Sequence, residues 1–282
     1  MSTFKRIFKR KSALIAASFI ILIFVCAIFA PLIAPASPTE QFKDGLTIQG
    51  APIAPGDQYL LGTDLLGRDL LSRLIYGART SLIIGILANG IAVLLGTSIG
   101  LIAGYLRGRV GSLIMRITDL MMAFPALLLA ITLAAIFSPS LLIVALVIAM
   151  VNWVQIARVV YTQTIAIAER EFVLAARGLG ATNRKILTRH IFPHLLPTVL
   201  VYATLGISTT VLLEATLSFL GIGVRPPTPS WGNIIFENQT YFITAPWLVF
   251  IPGVAIILLA LAFNLLGDVL RDELDPTQRG NS

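Results

Sequence analysis

Six stretches of this chain, residues 12–33, 81–105, 112–137, 140–161, 195–223 and 247–267, are almost unbroken apolar sequence. Each reaches the roughly 20 residues that a helix needs to cross the hydrocarbon core of a bilayer. Water is absent there, so every backbone polar group must be paired inside the helix, and no other open structure can span. With 56% hydrophobic and only 12% charged residues, the chain has lipid as its solvent, since soluble domains carry about 25% charged residues. The expected fold is an all-α integral membrane bundle of about six transmembrane helices. The third and fourth stretches meet across Ser138 and Pro139, which leaves a five-span alternative.

The formal net charge of +7 lies between the spans rather than on a soluble basic face, which excludes nucleic acid as a partner and makes membrane lipid one. Positive segments stay in the cytoplasm. With the N-terminus inside, Lys5, Arg6, Lys9, Arg10, Lys11, Arg107, Arg109, Arg170, Arg177, Arg184, Lys185, Arg189, Arg271 and Arg279 are cytoplasmic, whereas Lys43, Arg68, Arg73, Arg79 and Arg225 are external. Both termini are therefore expected in the cytoplasm. The first span resembles a secretory signal ending in Ala34-Pro35-Ala36, but its apolar run is longer than the 7 to 15 residues of a signal core, so an uncleaved anchor is expected.

By these spans and charges the chain divides into a basic cytoplasmic segment 1–11, an anchor with an external segment 12–79, a transmembrane core 80–267 containing the cytoplasmic loop 162–194, and a cytoplasmic tail 268–282. Ala88, Ala92, Gly96, Gly100 and Gly104 recur every four positions and form a smooth stripe where another helix backbone can approach. In the external segment, Leu70, Leu71, Leu74 and Ile75 share a face with Asp69, Arg73 and Arg79 elsewhere, the pattern of a helix lying in the membrane surface.

Ionisable groups within spans are costly and point to function by default. Arg116 and Asp119, three apart, are expected to neutralise one another, and Arg158 to snorkel to the cytoplasmic surface. Glu214 has no cationic neighbour on its face; it either lines a translocation path or bonds within a broken helix. Asn89, Asn152 and Gln155 are candidates for the same path, with Asn264 alongside, or else bond between helices. The lone Cys26 can form neither an intrachain disulfide nor a cysteine metal site. His190 and His194 are four apart, but Pro193 disturbs the geometry and no third ligand is in view, so no metal and no cofactor is expected.

One cytoplasmic loop is long, residues 162–194. Phe172, Ala175, Ala176 and Leu179 follow helical spacing and predict a short amphipathic helix that Gly178 and Gly180 end. Thr182 is placed to cap a second short helix, with Pro193 limiting its run. So much helix-forming sequence outside the membrane serves either to dock a partner or to rest on lipid headgroups.

This loop reads Leu174-Ala175-Ala176, Arg177 to Leu179, Gly180, nine residues, then His190-Ile191-Phe192-Pro193. It resembles the Glu-Ala-Ala, three residues, Gly, nine residues, Ile-x-Leu-Pro motif of ATP-binding-cassette importer permeases. Leu174, His190 and Phe192 depart from it, and the form FVLAARGLGATNRKILTRHIFP is similar to the variant in permeases for dipeptides, oligopeptides, nickel and glutathione. GTDLLGRDLLSRLIYGARTSL (62–82), DLMMAFPALLLAI (119–131), EATLSFLGIGVRPPTPSWG (214–232) and FNLLGDVLRDELDP (263–276) resemble the same subgroup, while residues 35–55 carry no such likeness.

The resemblance implies a type I ABC importer permease-like bundle that works with a second homologous permease, two cytoplasmic ABC ATPases and an external or periplasmic solute-binding protein in a prokaryotic inner membrane. It implies that Glu171, Phe172, Ala175, Ala176, Arg177, Gly178, Leu179, Gly180, Arg184 and Pro193 belong to the ATPase-coupling loop. The chain has no GxxxxGK[ST] loop of its own, so hydrolysis is expected in partners. The rival reading is a secondary transporter driven by an ion gradient, which usually needs an inverted repeat and midplane carboxylates. A membrane-embedded enzyme fits less well, because no nucleophile, base or metal-ligand set clusters in the spans.

Overall fold

The computed structural model describes residues 10–138 and 140–274, and among them every regular element is helical apart from two isolated bridges, Leu46 with Pro52 and Thr63 with Asp69. Lys5, Arg6, Lys9, Pro139, Pro276, Arg279 and most of the C-terminal tail lie outside the described residues.

In chain order, α1 (Lys11–Ile28) and the short α2 (Ala30–Ile33) lead into an irregular segment, followed by α3 (Leu70–Leu106), α4 (Gly108–Ala123), α5 (Ala126–Ile136) and α6 (Leu141–Ala168). Then come α7 (Glu171–Gly178), α8 (Asn183–Lys185), a π-helical turn (Ile186–Ile191), α9 (Phe192–Phe219), α10 (Trp231–Asn238), a 3-10 turn (Gln239–Tyr241) and α11 (Trp247–Leu274). Helices α1, α3, α6 and α11 and the run Asn183–Phe219 are each long and apolar enough to cross a membrane. The pair α4 and α5 qualifies together, bent by 90°. Counting that pair as one crossing makes six. The start of α1 and the end of α11 meet, and there Arg10 bridges Asp272 at 2.7 Å and Glu273 at 3.4 Å.

Three boundaries differ from the sequence reading. The expected single span 112–137 is broken because Phe124 precedes Pro125, and a residue before proline is driven to extended backbone; Phe124 has ψ 135° and starts no further turn. The expected surface helix at 70–75 does not exist as a separate element: Asp69 caps Leu70–Leu106 by accepting from the Ser72 N–H at 2.7 Å, and the helix runs straight into its span. The loop 162–194 shrinks from both ends. Helix α6 continues to Ala168, and the next span begins at Asn183 and passes through Pro193. It can do so because the preceding turn is widened, with the Phe192 N–H reaching back to the Leu187 carbonyl, which eases the proline ring past the preceding turn.

Packing is organised around α3 and α6. The stripe Ala88, Ala92, Gly96, Gly100 and Gly104 is wholly buried. Along it, a Cβ on Gly96 would lie 2.6 Å from the Trp153 carbonyl oxygen and one on Gly104 2.8 Å from that of Tyr161, so the two backbones run in contact. Helices α1, α9, α10 and α11 enclose one apolar cluster with the first half of α3, including Leu70, Leu82, Val211, Trp231 and Leu259. A second cluster joins α3, α6 and α9 to α7 and the π-helical turn, through Ala92, Ala157, Val160, Val173, Ile186, Ile191 and Leu195.

At the α3–α4 corner Arg107 adopts φ 50° and Gly108 φ 52°. The left-handed conformation of Arg107 is held by its guanidinium, which donates to Glu169 Oε1 at 2.8 Å and to the Ile165 carbonyl at 2.9 Å.

Candidate functional site

Helix α7 forms where expected and ends as expected. Gly180 has φ 79°, its N–H bonds the Arg177 carbonyl and the Ala181 N–H bonds the Ala176 carbonyl, a Schellman ending. Thr182 caps α8 by accepting from the Lys185 N–H at 3.4 Å. Glu171 occupies the first turn of α7 and Arg177 its last, both favourable with the helix dipole.

The face that seats α7 differs from the apolar stripe read from the sequence. Val173, absent from that stripe, is 0% exposed in the second cluster. Phe172 and Ala175 are exposed, Ala176 is half-buried and Leu179 is 89% exposed. One β-branched residue therefore anchors the helix, and most of the predicted stripe is left uncovered. Phe172 also stacks on His194, with ring centroids 4.8 Å apart. Gly178, Arg184 and Pro193 are exposed on the same side of the bundle. His194 Nδ1 is 2.8 Å from the His190 carbonyl oxygen, so that nitrogen faces backbone and not a shared metal position. Arg184, Lys185 and Arg189 border an open recess with Thr182 and Thr188.

Glu214, Asn89 and Asn152 are used between helices. Glu214 is 0% exposed and accepts hydrogen bonds from Ser81 Oγ at 3.1 Å and Ser218 Oγ at 2.8 Å. Ser81 Oγ accepts in turn from the Trp231 N–H at 3.3 Å, so this knot ties α9 to α3 and to the start of α10. Asn89 lies against Gly206 and donates to the Ala203 carbonyl at 2.6 Å, and Asn152 Nδ2 is 3.3 Å from Thr210 Oγ1. Of the path candidates, Gln155 and Asn264 are exposed. Asp119 does not pair with Arg116: its carboxylate meets the Arg158 guanidinium, because that face of α4 is turned toward α6. Arg158, expected to snorkel, has this carboxylate as its partner, and both side chains are exposed.

A second polar centre, which the sequence reading missed, sits at the opposite end. Asp64 Oδ2 accepts from Arg68 Nε at 2.6 Å and also from Arg73. Glu237 Oε2 accepts from Arg68 at 2.6 Å and from Arg73 at 2.7 Å. Arg73 and Asp64 are both 0% exposed. The two cations and two carboxylates balance, which lets Arg73 enter the packed start of α3. A signal was present in the spacing of Asp64 with Arg68, four apart, whereas Asp69, equally spaced from Arg73, caps the helix through Ser72 instead. Glu237, more than 160 residues away, gave none.

The family described as "Binding-protein-dependent transport system inner membrane component" matches residues 96–280, and the "N-terminal TM domain of oligopeptide transport permease C" matches residues 2–52, a region that includes most of the stretch the sequence reading left unplaced. The di/tripeptide transport system permease protein DppC of Pseudomonas aeruginosa is 43% identical over 94% of this chain and 88% of its own length. The dipeptide transport system permease protein DppC of Alkalihalophilus pseudofirmus is 41% identical over 98% of this chain and 89% of its own. The glutathione transport system permease protein GsiD of Escherichia coli is 41% identical over 98% and 90%. Among solved structures, an inward-facing MetNI methionine ABC transporter chain superposes with a TM-score of 0.60 at 18% identity, covering 72% of this chain and 96% of that one, a likeness of fold. Such extensive identity sets aside the secondary-transporter and enzyme readings, and the chain belongs to the family of binding-protein-dependent transport system inner membrane components.

Proposed function

We propose that this chain is one of two permease subunits of an ATP-driven importer of short peptides, with both termini in the cytoplasm. Two cytoplasmic ATPases supply the energy and an external binding protein delivers the solute. The relatives named for di/tripeptides, dipeptides and glutathione, itself a tripeptide, support the solute class. The observation that carries the coupling role is the seating of α7: Val173 fixes it to the bundle while Ala175 and Leu179 stay uncovered on the side rich in Arg and Lys. A short helix with a small, exposed apolar face suits insertion into a groove on a second protein. ATP-driven closure of the ATPases would then move α7, and the bundle would convert that motion into alternating access.

Leu179→Asp and Ala175→Trp test this, because both side chains point away from the protein's own core and neither should harm folding. Each is expected to lower copurification of the ATPases at least about tenfold, as loss of a buried apolar anchor does at other interfaces. ATP-dependent uptake of a labelled dipeptide should fall with it. Unchanged copurification and uptake in both variants would remove the docking role. Uptake of a dipeptide and tripeptide panel with the cognate binding protein checks the solute class.

A further inference from the structure

We infer that Tyr105, on the last turn of α3, is a positioning residue that locks the ATPase-facing helix to the central pair of spans. This rests on the coupling role proposed for α7. The Tyr105 hydroxyl donates to Asn183 Oδ1 at 2.7 Å, at the first residue of α8. The Arg177 guanidinium carbon stands 5.6 Å from the centroid of its ring, at the last turn of α7. The ring itself packs on the cluster that contains Ala168, Val173, Ile186 and Ile191. One side chain thus touches both sides of the joint 179–182, which the Phe172–His194 stack and the packing of Val173 with Ile186 and Ile191 also span, and whose Gly180 at φ 79° is held by local hydrogen bonds and a Thr182 cap.

The mechanical consequence comes from what lies behind Tyr105. One residue earlier, Gly104 packs against Tyr161 and Thr164, and Gly100 against Ala157 and Val160, with no slack between α3 and α6. Two residues later, Arg107 grips Glu169 and the Ile165 carbonyl. A push on α7 passes through Arg177 and Asn183 to Tyr105 and so to both spans at once. With the side chain removed, Val173 and the Phe172–His194 stack are left to span the joint, which can then bend at Gly180 and absorb part of the stroke.

The test uses the assembled transporter, with its second permease, ATPases and binding protein, carrying spin labels at Leu174 on α7 and Leu94 on α3, both exposed. In the parent, the distance between labels is expected to be the same with and without ATP and vanadate. In Tyr105→Ala it should shift or broaden on ATP binding, ATPase copurification should persist, and ATP hydrolysed per labelled dipeptide imported should rise about tenfold, on the scale of a lost hydrogen bond and cation–π contact together. Tyr105→Phe keeps the packing and deletes only the hydroxyl, so it guards against a folding defect; it should give a smaller rise, and adding Asn183→Leu to it should give no further loss. A nucleotide-independent label distance in Tyr105→Ala, or parental ATP use per dipeptide in that variant, overturns the inference. Failure of the docking reading registers separately, as ATPases that remain bound to Leu179→Asp.

Discussion

Asp64→Ala will destabilise the folded permease by about 3 to 5 kcal/mol, the cost of leaving a buried guanidinium short of its counter-ion. The Asp64 carboxylate neutralises Arg73 and Arg68 together, and its other oxygen accepts the N–H groups of Leu66 at 2.9 Å and Arg68 at 3.0 Å. Truncation strands all of these donors where Arg73 is 0% exposed. Glu237 alone cannot balance two cations, although it bonds both. Thermal unfolding of the detergent-purified complex measures the effect. Glu237→Gln should cost less, because its side chain is 11% exposed and water can reach it. The paired change Asp64→Leu with Arg73→Met removes opposite charges together and should be milder than Asp64→Ala. A melting point for Asp64→Ala equal to the parent's would show that the cluster contributes nothing to stability.

Gly100→Leu is expected to separate α3 from α6 and to abolish assembly of the transporter. A Cβ at this position falls on the Ala157 carbonyl oxygen and lies 2.9 Å from Val160 Cβ and 3.0 Å from the Tyr161 nitrogen. Backbone cannot yield as a flexible side chain can, so even Gly100→Ala should cost about 1 to 3 kcal/mol, the usual range for overpacking. Leu adds three further carbons to a seam with no room and forces the helices apart. Gly90 supplies the control on the same helix: nothing lies within 4 Å of its added Cβ. Gly90→Ala should be neutral or stabilise by up to about 1 kcal/mol through the higher helix propensity of alanine. Thermal unfolding and copurification of the second permease separate the two glycines. Equal tolerance at both positions would mean that α3 and α6 do not run in contact.

Much of the fold was legible before any coordinates. Apolar runs long enough for the bilayer gave the crossings, the four-residue stripe gave the helix face that α6 covers, and Gly180 with Thr182 gave the end of one short helix and the start of the next. These signals act within a turn or two of backbone. The break at Phe124 was also local, in the Pro125 that follows it, but an apolar run hid it because hydrophobicity is blind to a bend. The continuous helix from Leu70 was misread for the opposite reason: Arg73 looked like a surface charge as long as its partners were unknown.

The candidate site divides in the same way. The sequence by itself determined that the helix around Ala175 exists, is short and ends at Gly180, because helix periodicity and a left-handed glycine are properties of adjacent residues. Tertiary structure alone decided that Val173 seats it while Leu179 stays uncovered, that Asp119 meets Arg158, and that Glu237 joins Asp64 in pairing Arg68 and Arg73. An apolar side chain is equally satisfied by its own core, by lipid or by another protein, and a charge by any opposite charge brought near. Which of these it receives is settled only when distant segments are packed together.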